Sequence, residues 1–263
     1  MFKFREDHCY KMPAHFISWK GTPSPTTYHD VSAIQIDYET DRSGLDNYIP
    51  EAFRLTEPVV SIMYCMCRGC DWLAGGSYAL VSVNVPVAYV SGRESLEGPF
   101  ALVLWENMTD PILTGRDNGM PKVFADIEDL HQLGDRVFTN LSHGGTTFLR
   151  LDFRKTDRLG ADDLTPQHLN WFGWRFVPNI GGPGAALSQP TLFPQDFTWR
   201  EGWRGAGTVV WDPGAPEQHP MQFPIIKALS SLPIKAYRGG SMKLGANVLR
   251  EDLARVLGAE QAA

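Results

Sequence analysis

One lysine sets the chemical question. The stretch GRDNGMPKVF, residues 115 to 124, places Lys122 directly after Pro121, with Met120 before it and Val123 and Phe124 behind it. A lysine ordinarily keeps its ammonium in water and lays only its stem over apolar neighbours. An amine held among apolar side chains instead loses hydration of its charged form, and the neutral form so favoured can attack a carbonyl carbon.

Other chemistries have less support in the residues. Cys65, Cys67 and Cys70 cluster in YCMCRGC, with Cys9 apart, but structural zinc needs a second ligand pair. The seven histidines (8, 15, 29, 131, 143, 168, 219) offer no H-x3-5-H spacing. EPVVSIMYCMC reads as a strand that puts Cys65 and Cys67 on one face and leaves Cys70 in the turn at Gly69, so these are expected to be buried free thiols and no metal is expected. Gly182-Pro-Gly184 lacks the third glycine and the following helix of a dinucleotide fingerprint. No Walker loop, G-x-S-x-G elbow, H-E-x-x-H or EF-hand loop occurs, and His143 beside Ser142 has no acid partner and reads as a cap or turn residue. Cofactor-free amine chemistry meets the fewest objections.

The elements that must hold the lysine are mostly strands. Alternation with a period of two runs through Ile34, Ile36 and Tyr38, then Val60, Ile62 and Tyr64, then Val81, Val83, Val85, Val87 and Tyr89, with Ser82 and Asn84 on the opposite face, and predicts half-buried strands. PFALVLWEN, TTFLRLDFR, WRFVPNI and GAGTVVWD add more, separated by turn signals in VSGRESLEGP, NIGGPGAALSQP and DPGAPEQHP. Helical spacing is confined to DRSGLDNYIPEAF, stopped by Pro50, to KVFADIEDLHQL, and to KLGANVLREDLARVLG, where Leu244, Val248, Leu249, Leu253, Val256 and Leu257 form an apolar stripe. NIGGPGAALSQPTLFPQ is expected to be a long surface connection.

With 263 residues, 43% of them hydrophobic, the chain suits one compact unit, residues 1–263, carrying an N-terminal extension over 1–24. A net charge of -6 gives no basic field for nucleic acid or anionic lipid. The start, MFKFREDHCYKMP, carries charge where a signal peptide needs an apolar run, and YALVSVNVPVAYV is too short to span a bilayer as a helix, so no membrane partner and a cytoplasmic location are expected.

Four stretches in order resemble the acetoacetate decarboxylase superfamily. DPILTGRDNGMPKVFADIED is similar to the segment in which G-R-E and P-K introduce an imine-forming lysine. IDYETDRSGLDNYIPEAFRLTEPVVSIMY is similar to an early strand, a short helix ending at a proline and an E-P-x-V strand. WFGWRFVPNIGG is similar to a K-x-I-P-N strand and turn, and MQFPIIKALSSLPIKAYRGGSMKLGANVL to a late P-L-x-x-L-P-V strand and closing helix. The resemblance spans roughly residues 25 to 255. It implies an α+β fold, mostly antiparallel β, in which a double sheet and small β-barrel form a cone with a few flanking helices. It also implies a homo-oligomer, and Lys122 as the Schiff-base lysine.

The departures from that family point to the reaction. Decarboxylating members follow the imine lysine with a second lysine, where this chain has Val123. The family's pocket arginine falls near Val31, its two pocket glutamates near Met63 and Leu80, and its acid after G-R is Asp117. A branch lacking these charges condenses pyruvate with an aldehyde and removes water, or runs the reverse cleavage. Three readings follow: a pyruvate aldolase-dehydratase acting on a small keto acid and an aldehyde, a decarboxylase tuned by desolvation alone, or a non-enzymatic binder of a carbonyl ligand. In the first, Arg116 would hold the carboxylate and Asn118 would orient the carbonyl or hydroxyl, both lying just before Lys122, while Tyr78 and Tyr237 would relay protons. The structural alternatives are an ion pair for Arg116, a turn for Asn118, and a core position with a satisfied hydroxyl for either tyrosine.

Overall fold

The structure is a computed structural model that describes residues 2–258. Strands β1 (His8–Lys11) and β2 (Ile17–Lys20) pair in a separate two-stranded sheet. They are followed by β3 (Thr26–Glu39), α1 (Arg42–Asp46), β4 (Phe53–Leu55), β5 (Val59–Cys70), β6 (Gly76–Ser91) and β7 (Glu94–Glu106). Helix α2 (Thr109–Asp117) leads into three short strands, β8 (Lys122–Phe124), β9 (Asp126–Ile127) and β10 (His131–Leu133). The second half contains β11 (Arg136–His143), β12 (Thr146–Arg158), β13 (Gln167–Pro178), β14 (Ala185–Trp211), α3 (Phe223–Ser230), β15 (Ala236–Leu249) and β16 (Arg255–Val256).

Seven of these strands close a ring. The order β14-β13-β7-β6-β5-β3-β15 returns to β14, because the 27-residue β14 pairs with β13 through its first half and with β15 and β12 further on. Neighbours in the ring are antiparallel except β13 and β7. Beyond β14 the sheet continues through β12, β11 and β10. The expected mostly antiparallel fold with few helices is thus present. No helix among the described residues is long and apolar enough to cross a membrane.

Period-two patterning built this ring, with one correction. Ile34, Ile36, Tyr38, Val60, Ile62, Tyr64, Val81, Val83, Val85, Val87 and Tyr89 all enter one large core cluster. The opposite faces of the same strands are also buried: Val31, Ala33, Cys65, Cys67, Tyr78 and Leu80 form a second cluster, and Ser82 is fully enclosed. Curling the sheet into a ring removes the solvent face that a half-buried strand would keep.

Two expected helices are strands instead. In KVFADIEDLHQL the spacing of Val123, Ile127 and Leu130 fits a helix, yet Val123 pairs with Trp105 of β7 and Ile127 with Leu141 of β11. In KLGANVLREDLARVLG the apolar stripe is split. Residues through Leu249 extend β15 between β3 and β14, and the rest forms a 3-10 turn, Glu251–Leu253, and β16. Gly245 permits that passage, since a Cβ there would run into the Thr198 carbonyl oxygen of β14. Ladder hydrogen bonds, on both sides of β15 and on one side of β8 and β9, outweigh a helical period that offers only one apolar face. The long connection expected over NIGGPGAALSQPTLFPQ shrinks to a turn, because β14 begins at Ala185 opposite Pro178. The expected short helix before Pro50 is α1; α2 is unexpected, and α3 stands where the resemblance implied a late strand, with β15 in place of the closing helix.

Candidate active site

The ring encloses a narrow cavity of about 30 Å³, room for one or two water-sized groups. Every strand of the ring lines it: Tyr28 from β3, Met63 from β5, Leu80 from β6, Glu106 from β7, Trp171 from β13, Gln195 from β14 and Asn247 from β15. Lys122 enters from the start of β8, which runs parallel to β7 with Lys122 opposite Leu104. A wider vestibule of about 150 Å³ adjoins the cavity and shares with it Tyr28, Lys122, Phe193 and Leu249, so the lysine stands where the two meet.

The local chain explains how the amine reaches this point. Pro121 gives its carbonyl to the Leu104 N–H, which fixes β8 against β7 and starts the lysine side chain at the rim of the ring. From there the stem passes under the last turn of α2. A Cβ on Gly115 would stand 2.5 Å from Lys122 Cδ and 2.6 Å from Nζ, so only glycine leaves the path open. Nζ donates a hydrogen bond to the Pro111 carbonyl at 3.0 Å and lies 2.7 Å from Glu106 Oε1. The lysine side chain is 12% exposed and that of Glu106 is wholly buried.

Glu106 is the electrostatic centre of the site. Burial pushes its carboxyl above the usual carboxylate range, against the pull of the Lys122 ammonium. The contact with Nζ is close but poorly directed, and neither carboxylate oxygen receives a hydrogen bond. A carboxyl so placed holds a proton more readily than an exposed one. Among the described lining residues Lys122 and Glu106 are the only charged pair, and the remainder is apolar, thiol, phenol or amide.

The phenols and thiols form one wall. Tyr78 and Tyr28 hydroxyls are 2.9 Å apart, and Trp72 Nε1 donates to Tyr28 at 3.1 Å. Burial drives both phenols well above their ordinary range, so Tyr78 keeps its proton and can offer it only as a hydrogen bond. Cys65 and Cys67 share the inner face of β5 as expected, with their sulfurs 3.6 Å apart, and the thiol of Cys67 is raised by its contact with Cys65 and by burial. Cys70 is not in a turn. It pairs with Gly76 after an irregularity in β5 and is buried. No group of three or more histidine, cysteine, aspartate or glutamate side chains converges on a common point among the described residues.

The proposed site residues divide. Tyr78 lines the cavity beside Lys122, and Asn118 lines the vestibule next to it. Arg116 does not join them: it is exposed on α2, one residue past the glycine that faces the lysine, because consecutive helical positions point about 100° apart. Tyr237 lies outside as well. The residue is 40% exposed, and its hydroxyl accepts from the Val209 N–H at 3.0 Å while donating to the Val209 carbonyl. Met63 and Leu80 both line the cavity, and Val31 is buried in the cluster behind it.

Four polar lining residues went unread in the sequence: Tyr28, Glu106, Gln195 and Asn247. Glu106 is in phase with Leu104 on β7, so an acid on the inner face of LVLWE was the available signal. Gln195 and Asn247 carried none, since one stood in an expected loop and the other in an expected helix. Asn247 Nδ2 donates to Gln195 Oε1 at 2.7 Å deep in the ring.

Comparison with known proteins agrees with this architecture. Residues 11–248 match the family model for acetoacetate decarboxylase. An acetoacetate decarboxylase from Burkholderia cenocepacia (strain HI2424) is 26% identical over 202 residues, covering 73% of this chain and 76% of the relative. The crystal structure of acetoacetate decarboxylase from Legionella pneumophila superposes with a TM-score of 0.73 at 24% identity, covering 91% of this chain and 90% of the other. The enduracididine biosynthesis enzyme MppR, complexed with the condensation product of pyruvate and imidazole 4-carboxaldehyde, superposes with a TM-score of 0.67 at 14% identity over 90% of each chain. The match across nearly the whole sequence places this chain in the acetoacetate decarboxylase family.

Proposed function

We propose that this protein is a carbon-carbon lyase of the aldolase-dehydratase type that works through an imine on Lys122. The carrying observation is the Lys122 amine 2.7 Å from a fully buried carboxylate inside a closed, largely apolar ring. Passing the ammonium proton to Glu106 leaves a neutral amine, whose lone pair attacks the carbonyl carbon of a small donor, a keto acid by family resemblance. Glu106 returns that proton to the carbinolamine hydroxyl, which leaves as water while a C=N bond to the protonated nitrogen forms. Glu106 then takes a proton from the adjacent carbon, giving an enamine that adds to the carbonyl carbon of an aldehyde, and returns the proton to the new alkoxide. Glu106 takes a second proton from the donor carbon and gives it to that hydroxyl, which leaves as water to give the unsaturated imine, and hydrolysis frees the amine. Tyr78 donates a hydrogen bond within the cavity, and Asn118 meets the part of the substrate that extends into the vestibule.

The relatives named acetoacetate decarboxylase favour a second reading, in which the imine nitrogen takes up electrons as carbon dioxide leaves a β-keto acid. Val123 weighs against it, since the resemblance puts a second lysine at that position in decarboxylating members and the side chain here is apolar and packs against the core. Borohydride reduction with pyruvate or acetone, followed by peptide mass analysis, tests the step common to both. A reduced adduct on Lys122 is expected. Adduct on another lysine, or on none, refutes the reading.

A further inference from the structure

We propose that Cys65 and Cys67 together form a second, covalent binding site in the wall of the cavity, which takes a small trivalent arsenical across both sulfurs and so closes Lys122 off from its substrate.

Sulfur geometry favours a one-atom bridge. The two side chains share one face of β5 with their Sγ atoms 3.6 Å apart, and both line the cavity that holds Lys122 and Glu106. Residues two apart on an extended strand keep their Cα atoms about 6.6 Å from each other, at the far edge of what a disulfide tolerates, and the sulfurs would still have to close to about 2.05 Å. A single bridging atom requires no such movement: with bonds of about 2.3 Å, the length of a zinc–thiolate bond, it spans the 3.6 Å at an angle of about 100°. Trivalent arsenic has that pyramidal angle. A tetrahedral metal ion would be short of ligands, because no group of three or more histidine, cysteine, aspartate or glutamate side chains converges among the described residues. Arsenic brings its own third ligand, a hydroxyl.

The chemistry suits buried thiols. Arsenous acid is small and uncharged at neutral pH, and the vestibule that meets the cavity at Lys122 gives it the same way in as a carbonyl substrate. Each As–OH group condenses with one S–H group: an As–S bond forms, the S–H and As–O bonds break, and the thiol proton leaves with the hydroxyl as water. Two such steps need no oxidant. Contact with Cys65 and burial hold the Cys67 thiol well above its ordinary range, which suppresses the thiolate that alkylating reagents need but not a condensation that carries the thiol proton away. What stays behind is one arsenic atom and one hydroxyl, which fill a cavity of about 30 Å³ beside the amine.

The test treats the whole protein with sodium arsenite and removes the excess before digestion. Trypsin cuts after Arg54 and Arg68, so the peptide of residues 55–68 carries Cys65 and Cys67 without Cys70. One arsenic on that peptide is expected, with borohydride trapping of acetone on Lys122 slowed at least tenfold and restored by 2,3-dimercaptopropanol. Acetone present beforehand is expected to slow arsenic uptake. Cys67→Ala should lose the arsenic, its melting curve reporting the fold, and Cys9→Ala should keep it. Arsenic on Cys9 or Cys70, or on none of the cysteines, overturns the site. Arsenic on residues 55–68 with Lys122 trapped at the parent rate overturns its effect on the amine. Failure of untreated protein to trap acetone counts against the imine reading alone, because the arsenic on the peptide still decides the site.

Discussion

Replacing Gly115 with alanine should separate the fold from the chemistry. The new Cβ would meet Lys122 Cε most closely and stand 2.5 Å from Cδ, so the lysine stem must retreat by about 1.1 Å to reach an ordinary contact of 3.4 Å. The obstacle is the far end of a flexible side chain, so the backbone need not move. Alanine in the last turn of α2 adds up to about 1 kcal/mol of helix stability, or roughly 2–4 °C in melting temperature for a chain of this size. Loosening the Lys122–Glu106 contact offsets that gain, and a melting temperature within about 4 °C of the parent is expected. Chemistry is less forgiving: misplacing a reacting atom by about 1 Å costs on the order of a hundredfold. The assay is paired, thermal melting on one sample and borohydride trapping with acetone on the other. Trapping at the parent rate would show that the open path over Gly115 is irrelevant to the amine. A loss of more than about 10 °C would show that the contact belongs to the core.

Glu106→Gln should lower turnover by about a hundredfold or more while Lys122 still traps with borohydride, because the amine remains and the proton carrier is lost. The same variant should remove a pH dependence of stability. A carboxyl raised by burial contributes stability that is full below its unfolded value of about 4.3 and is lost as pH rises through the higher folded value, so the parent should lose ground to Glu106→Gln across that window. A parallel pair of melting curves from pH 4 upward would contradict this. Thiol labelling of the native protein should modify Cys9 alone, since Cys65, Cys67 and Cys70 are buried and the Cys70 thiol is pushed up to about 12; rapid labelling of a second cysteine would count against the closed wall. Arg116→Ala and Tyr237→Phe should each leave turnover within twofold, with Tyr237→Phe losing about 1 kcal/mol of stability from its contacts with Val209; a tenfold loss of turnover in either would return it to the site.

The sequence by itself determined most of the strands and singled out the buried lysine. Alternation at residues 34–38, 60–64 and 81–89 is a local property of side chains on a pleated backbone, and each of these runs became a strand of the ring with the apolar set facing one core. The frame around Lys122 was legible for a similar reason, since Gly115 and Pro121 act on their near neighbours along the chain. What only the tertiary structure decided is which distant residues meet the amine. Glu106 reaches Lys122 because β8 lies parallel to β7, Asn247 and Gln195 meet because β15 crosses β14, and Arg116 is turned away by the pitch of one helix. The same cause misled the reading of residues 122–133 and 243–258. Helical periodicity reports one apolar face of a segment alone, whereas a strand is chosen by hydrogen bonds whose partners lie tens to hundreds of residues away.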